Sequence, residues 1–261
     1  MPYLEANEAK FHYLESGDGP VALFVHGFPF DATMWSEQLD GLAALRRCLA
    51  IDLRGFGRSG RSPRPVLTME DHAADLEAFL DKGSVAAAVD LVGMSMGGYV
   101  ALAFAELYPE RIRSIALIDT KSTADSEEAM AGRDATAARL VREGRAGFAT
   151  DLTDLLVAAE ASPWIRARVR TMIESTPTET MVAALEGMKQ RPDRTSVLAA
   201  LPASVTIIVG EEDHLAPLED AQYMAKSGRG VLTVIPGAGH MSPIEQPNAV
   251  TAALRTQWLT G

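Results

Sequence analysis

The chain has 261 residues, 47% of them hydrophobic, and a formal net charge of −11. That length and apolar share bury a large core as one domain with an insertion. No apolar run approaches the roughly 20 residues that span a bilayer, and the acidic balance repels nucleic-acid phosphates.

In chain order, strand-like segments are expected near residues 2–7, 10–15 and 21–25, from β-prone alternating or continuous apolar runs. The opening Met1-Pro2-Tyr3-Leu4-Glu5 lacks the basic and apolar regions of a signal peptide. A helix is expected near 33–45 and a strand near 47–51, which contains the single cysteine, Cys48. A lone buried cysteine cannot form an internal disulfide, so a reducing, cytoplasmic setting is expected. A helix near 68–82 starts at Thr68, and further strands fall near 88–92 and 113–118 with a helix at 96–107 between them.

The rhythm of strand and helix breaks between 121 and 200. Ser162-Pro163-Trp164 has the pattern of an N-cap with proline in the first turn, and Thr176-Pro177-Thr178-Glu179 that of a capping box. These helical signals, without a strand, predict a helical cap over 121–200, with 1–120 and 201–261 forming the core domain. Strands near 204–209 and 231–235 and helices near 217–227 and 244–259 complete an alternating order. Such an order gives a mostly parallel, eight-stranded α/β sheet with helices on both faces.

The most informative run is Ala88-Val89-Asp90-Leu91-Val92-Gly93-Met94-Ser95-Met96-Gly97-Gly98. A strand pattern enters Gly-x-Ser-x-Gly and leaves as a helix, which is the context of a nucleophile elbow. Ser95 is the candidate nucleophile. A serine hydroxyl needs a base and the base an orienting acid, and the chain has five histidines. His12 lies in an alternating strand, as a surface or edge residue. His26 precedes Gly27 and braces a loop, His72 lies on a solvated helix face, and His214 follows an acidic cluster. His240, in Pro236-Gly237-Ala238-Gly239-His240-Met241 beyond a strand end, has the exposure a general base needs. The acid is expected after Val205-Thr206-Ile207-Ile208-Val209-Gly210, at Asp213, with Glu212 and Asp119 as alternatives. Oxyanion donors are expected from the N–H groups of Met96, directly after the nucleophile, and Phe28, in a loop whose Pro29 has no N–H. All of these groups fall just past carboxyl ends of strands, where open α/β sheets bind ligands.

Together His26-Gly27-Phe28-Pro29, Asp52-Leu53-Arg54-Gly55-Phe56-Gly57-Arg58-Ser59, Gly93-Met94-Ser95-Met96-Gly97-Gly98, Gly210 with Asp213, and Gly239-His240 resemble the α/β-hydrolase fold superfamily. Within it the chain is similar to the branch of 3-oxoadipate enol-lactonases, small carboxylesterases and cofactor-free haloperoxidase-like esterases. The resemblance implies a serine hydrolase acting on a small ester or lactone with no metal and no organic cofactor. Its alternatives are an enol-lactone hydrolase of aromatic catabolism, a carbon–carbon bond hydrolase, perhydrolase-like activity, or a non-catalytic ligand-binding member. Epoxide hydrolases and haloalkane dehalogenases carry a carboxylate in the elbow, so Ser95 argues against both. The expected partner is a small molecule, with no nucleic acid and no membrane, and with homo-oligomers left open. Phe28, Phe30, Met96, Met241 and Trp164 are candidate pocket residues. Arg133, Arg139, Arg142 and Arg145 form a solvated helix face, from which one turned inward would pair with a substrate carboxylate.

Overall fold

A computed structural model of the chain describes residues 2–260. Met1 and Gly261, the outermost residues of the expected core domain, lie outside them. One sheet holds eight strands in the order β1-β2-β4-β3-β5-β6-β7-β8. These are β1 Tyr3–Ala6, β2 Ala9–Ser16, β3 Val21–Val25, β4 Arg47–Ile51, β5 Val89–Met94, β6 Ile112–Ile118, β7 Ser204–Gly210 and β8 Val231–Ile235. β1, β2 and β4 pair antiparallel, and every pairing from β4 and β3 through β8 is parallel. All five residues of β3 and all six of β5 are buried. That is the reason these central strands are continuously apolar rather than alternating, save for Asp90, which is paired with Arg46 and Arg113: both of their faces are covered.

The helices are α1 Ser36–Leu42, α2 Met69–Lys82, α3 Met96–Leu107, α4 Glu127–Glu143, α5 Arg145–Leu156, α6 Pro163–Ser175, α7 Thr178–Lys189, α8 Thr195–Ala200, α9 Leu218–Ser227, α10 Ser242–Glu245 and α11 Pro247–Thr260. α1 packs on α11 on one side of the sheet, while α2, α3, α8 and α9 form a connected layer on the other. None of these helices is long and apolar enough to cross a membrane, among the described residues. Thr68 caps α2 through a reciprocal box with Asp71, which fixes where that helix starts.

Five local expectations differ from the structure. The single helix near 33–45 is a 3₁₀ turn, Ala32–Trp35, followed by α1, because Asp31 caps the turn by accepting from the Thr33 N–H. The helix near 244–259 is split at Gln246, since Pro247 brings no N–H to continue a helical ladder. Thr176 does not cap α7: the N-cap is Pro177, and the Thr176 hydroxyl donates to the Pro29 carbonyl at 2.7 Å. Two histidines assigned to the surface are buried. His12 sits with Nδ1 2.7 Å from Asp52 Oδ2, and His72 lies within reach of the Phe56 ring with neither ring nitrogen hydrogen-bonded. Alternation and first-turn acidity gave no sign of this, because the neighbours that cover both rings come from distant parts of the chain.

Between β6 and β7, residues 121–200 contain the five helices α4–α8 and no strand. Thr176, Thr180 and Ala183 tie this interval to the loops after β3, after β4 and before α2. They do so through Thr176 Oγ1 to Pro29 O at 2.7 Å, Thr180 Oγ1 to Gly55 O at 3.1 Å and Leu67 N–H to Ala183 O at 3.0 Å.

Candidate active site

Strand β5 delivers Ser95 and α3 begins at the next residue. The turn is tight. A Cβ on Gly93 would lie 2.3 Å from the Gly97 carbonyl oxygen, and one on Gly97 would lie 2.2 Å from the Val25 carbonyl oxygen. Ser95 itself has φ 52, a left-handed conformation rare for a residue with a side chain, found where surrounding structure holds it. Its N–H is bound by the Ile118 carbonyl at 2.9 Å, and its carbonyl accepts from the Thr120 hydroxyl at 2.8 Å. The elbow is therefore clamped from β6 as well as from its own strand.

Ser95, His240 and Asp213 come together from three strand ends. Ser95 Oγ is 2.9 Å from His240 Nε2, and His240 Nδ1 is 2.8 Å from Asp213 Oδ2. The other Asp213 oxygen accepts from the Leu215 and Ala216 N–H groups at 2.8 and 3.0 Å. Burial lowers the imidazole pKa of His240, but the Asp213 charge and hydrogen bond outweigh it, and the net shift is upward. Burial pushes the Asp213 carboxyl up, yet the His240 charge and hydrogen bond and the two N–H donors hold it below the usual carboxylate range. Each partner thus favours the ionised form of the other.

Of the two alternative acids, Glu212 faces away and accepts from the Ala159 N–H at 3.3 Å. Asp119 is fully buried and takes the Gly210 N–H at 2.8 Å and the Ser242 N–H at 3.2 Å. Burial first, and the Asp213 charge second, raise its pKa well above the ordinary value. Asp119 joins the loops after β7 and β8 without touching the imidazole.

A further buried carboxylate, Glu245, carried no signal in the sequence. Its Oε1 accepts the N–H groups of Gly239 at 3.0 Å and Met241 at 3.1 Å, on either side of His240, and its Oε2 accepts the Ala158 N–H at 2.7 Å. The His240 N–H is bound by the Leu156 carbonyl at 2.8 Å. The histidine loop is thereby held by Glu245 through the N–H groups on either side of His240 and tied to the end of α5 through Leu156 and Ala158.

Ser95 and His240 open on a cavity of about 460 Å³. Its apolar wall includes Phe28, Phe148, Leu156, Leu185 and Met188, and its polar wall includes Lys121, Asp125 and Arg133. The N–H groups of Phe28 and Met96 donate to no other backbone group among the described residues. Phe28 is on the cavity wall. Phe30 and Met241 are fully buried in the core instead, and Trp164 is 64% exposed on α6 with its ring under the Arg168 guanidinium. Met96 is also wholly buried. Apolar identity alone did not separate wall from core. Arg133, expected on a solvated face with Arg139, Arg142 and Arg145, turns into the cavity and pairs with Asp125. Among the described residues no group of histidine, cysteine or acidic side chains is arranged to hold a metal ion.

Comparison with known proteins agrees with this architecture. A model of the alpha/beta hydrolase family matches residues 22–254. A thermophilic esterase from Thermogutta terrifontis, solved with malate bound, is 38% identical with a TM-score of 0.93, covering 99% of this chain and 97% of that one. The enol-lactonase from Burkholderia xenovorans LB400 is 25% identical with a TM-score of 0.90, covering 100% of both chains. Bifunctional epoxide hydrolase 2 of Sus scrofa is 35% identical over 113 residues, 42% of this chain, and the chain spans only 20% of that protein's length. Matched over most of its length by the family pattern, and sharing both sequence and fold with the esterase, the chain belongs to the alpha/beta hydrolase family.

Proposed function

We propose that the protein is a serine hydrolase that cleaves a small carboxylic ester or lactone, with Ser95 as nucleophile, His240 as base and Asp213 as orienting acid. The single observation behind this reading is the unbroken hydrogen-bonded run from Ser95 Oγ through His240 to Asp213, opening on the cavity. The esterase and enol-lactonase relatives support the substrate class. The epoxide hydrolase likeness supports only the shared scaffold, because a serine stands in the elbow of this chain.

His240 Nε2 takes the Ser95 proton as Oγ bonds to the substrate carbonyl carbon. The oxyanion so formed is held by the Phe28 and Met96 N–H groups, each contributing about 2.7–4 kcal/mol to lowering the barrier. The carbon–oxygen bond to the alcohol breaks, and the alcohol leaves with the proton from His240. Water then gives a proton to His240 and its hydroxide to the acyl carbon. The acid departs, and the proton returns to Ser95. In a lactone the alcohol stays tethered to the acyl chain and otherwise the steps are the same. Residues 121–200 act as a cap: α4, α5 and α7 supply cavity walls around the acyl group and leave room for the attacking water.

Ser95→Ala removes the nucleophile and leaves the elbow backbone unchanged. Turnover of p-nitrophenyl acetate is expected to fall at least about 10³-fold, with an unaltered far-ultraviolet circular dichroism spectrum. A fluorophosphonate should label the native protein stoichiometrically and the variant not at all. Equal turnover or equal labelling in the two proteins refutes the assignment.

A further inference from the structure

The wall of the cavity carries more positive than negative charge, although the chain as a whole carries −11. Asp125, its side chain 1% exposed, is shared by two guanidinium groups, Arg133 from the cavity wall and Arg191 behind it, the latter at 2.8 Å. One carboxylate against two guanidiniums leaves a surplus positive charge. Arg139, at the rim, is matched by Asp151 at 2.5 Å and by Glu143 at 2.8 Å, the latter shared with Arg142. Lys121 lines the same cavity as Ser95, is half-buried, and has no acidic partner or hydrogen bond among the described residues. It follows Thr120, whose hydroxyl binds the Ser95 carbonyl, so its backbone is anchored to the elbow.

The acidic groups behind His240 do not neutralise this wall. Asp213 is taken up by the imidazole and by the Leu215 and Ala216 N–H groups, and Asp119 and Glu245 are spent on backbone N–H groups of the loops. A neutral substrate closed into the cavity would strip water from the Lys121 ammonium and return nothing, and a buried cation left without a partner is costly. A carboxylate would meet the ammonium directly. It would also meet donors of Arg133, whose Nε and one Nη are committed to Asp125 while its other Nη faces Met188 Sδ at 3.4 Å.

We propose that Lys121, backed by Arg133, forms an anion subsite, and that the substrate is an ester or lactone carrying a second, free carboxylate. This rests on the serine-hydrolase reading for the reaction, but the binding subsite stands or falls separately.

The experiment measures binding first. In the Ser95→Ala protein, calorimetry should show glutarate binding at least about tenfold more tightly than its neutral diamide, glutaramide, the size expected of one charge-assisted contact. Lys121→Gln should erase that difference and Lys121→Arg should restore it. Hydrolysis is measured second, with active protein: kcat/KM for monoethyl glutarate relative to diethyl glutarate should drop at least about tenfold in Lys121→Gln. Equal binding of glutarate and glutaramide, or a ratio indifferent to Lys121→Gln, overturns the subsite even if neutral esters are turned over. Charge-dependent glutarate binding without turnover of any ester keeps the subsite and instead counts against the hydrolase reading.

Discussion

At the scale of single residues, the Glu245 carboxylate does two things to His240 at once. It holds the loop through the Gly239 and Met241 N–H groups, and its charge contributes to raising the His240 pKa. Glu245→Gln keeps an acceptor for those two N–H groups but turns an amide N–H toward the Ala158 N–H. The expected loss is about 1–3 kcal/mol of stability in urea denaturation. The acid limb of kcat/KM should also move to lower pH, because removing a negative charge makes the imidazole easier to deprotonate. A purely structural tether would lower activity evenly and leave that limb in place. Ser95, Asp213 and His240 could be picked out from local pattern because each follows a strand end, Ser95 and His240 among small residues and Asp213 in a cluster of carboxylates. Glu245 could not be. Its partners are backbone N–H groups, which every residue but proline owns, so nothing in the types of its neighbours marks them. Phe30, Met241 and Trp164 failed as cavity residues for a related reason, since an apolar side chain suits a core, a wall and an exposed helix face alike.

At the scale of elements, strands and helices were legible wherever one face or both had to be apolar: β3 and β5 from their largely apolar runs, β7 from its β-branched Val-Thr-Ile-Ile-Val run, α2 from its capping box. The breaks were harder to read. Trp35 to Ser36 and Gln246 to Pro247 interrupt helices whose apolar spacing runs on without a gap, and Thr176 is recruited by the Pro29 carbonyl rather than by its own helix. Helix α7 is placed by one close approach: a Cβ on Gly187 would lie 1.7 Å from the Leu67 carbonyl oxygen. On α4, Gly132 is exposed and a Cβ there would meet nothing within 4 Å. The same substitution should therefore have opposite signs on the two helices. Gly187→Ala is expected to cost about 1–3 kcal/mol through overpacking, and Gly132→Ala to gain about 0.5–1 kcal/mol through helix propensity. Urea midpoints compared at constant m-value decide it. A Gly187→Ala protein as stable as the parent would mean that α7 can slide on Leu67.

At the scale of the whole molecule, the parallel strands bring every candidate group to one edge of the sheet, while the stability of the chain in acid is set elsewhere. His26, Phe56 and His72 pack ring against ring at steep angles in the interior, with centroid separations of 5.1 and 6.3 Å. Burial lowers the pKa of both histidines, that of His72 to about 4, against opposing pulls from Asp75 and Asp71 and a reinforcing one from Arg54. The folded protein therefore keeps His72 neutral where the unfolded chain, with an ordinary imidazole pKa of about 6.5, already binds a proton. Stability from this group is complete above about pH 6.5, is lost as pH falls, and levels off below the folded value. The full difference is about 3 kcal/mol. The raised carboxyls of Asp119 and Glu245 act in the opposite sense over an overlapping range, so the total slope of the parent protein does not isolate His72. The difference between parent and His72→Leu does. Denaturation at about pH 8 should show little separation between them beyond repacking, and at about pH 5 the variant should gain on the parent by one to two kcal/mol, roughly what linkage gives for that interval. A difference that stays constant from one pH to the other would mean that the buried ring finds a proton acceptor when charged.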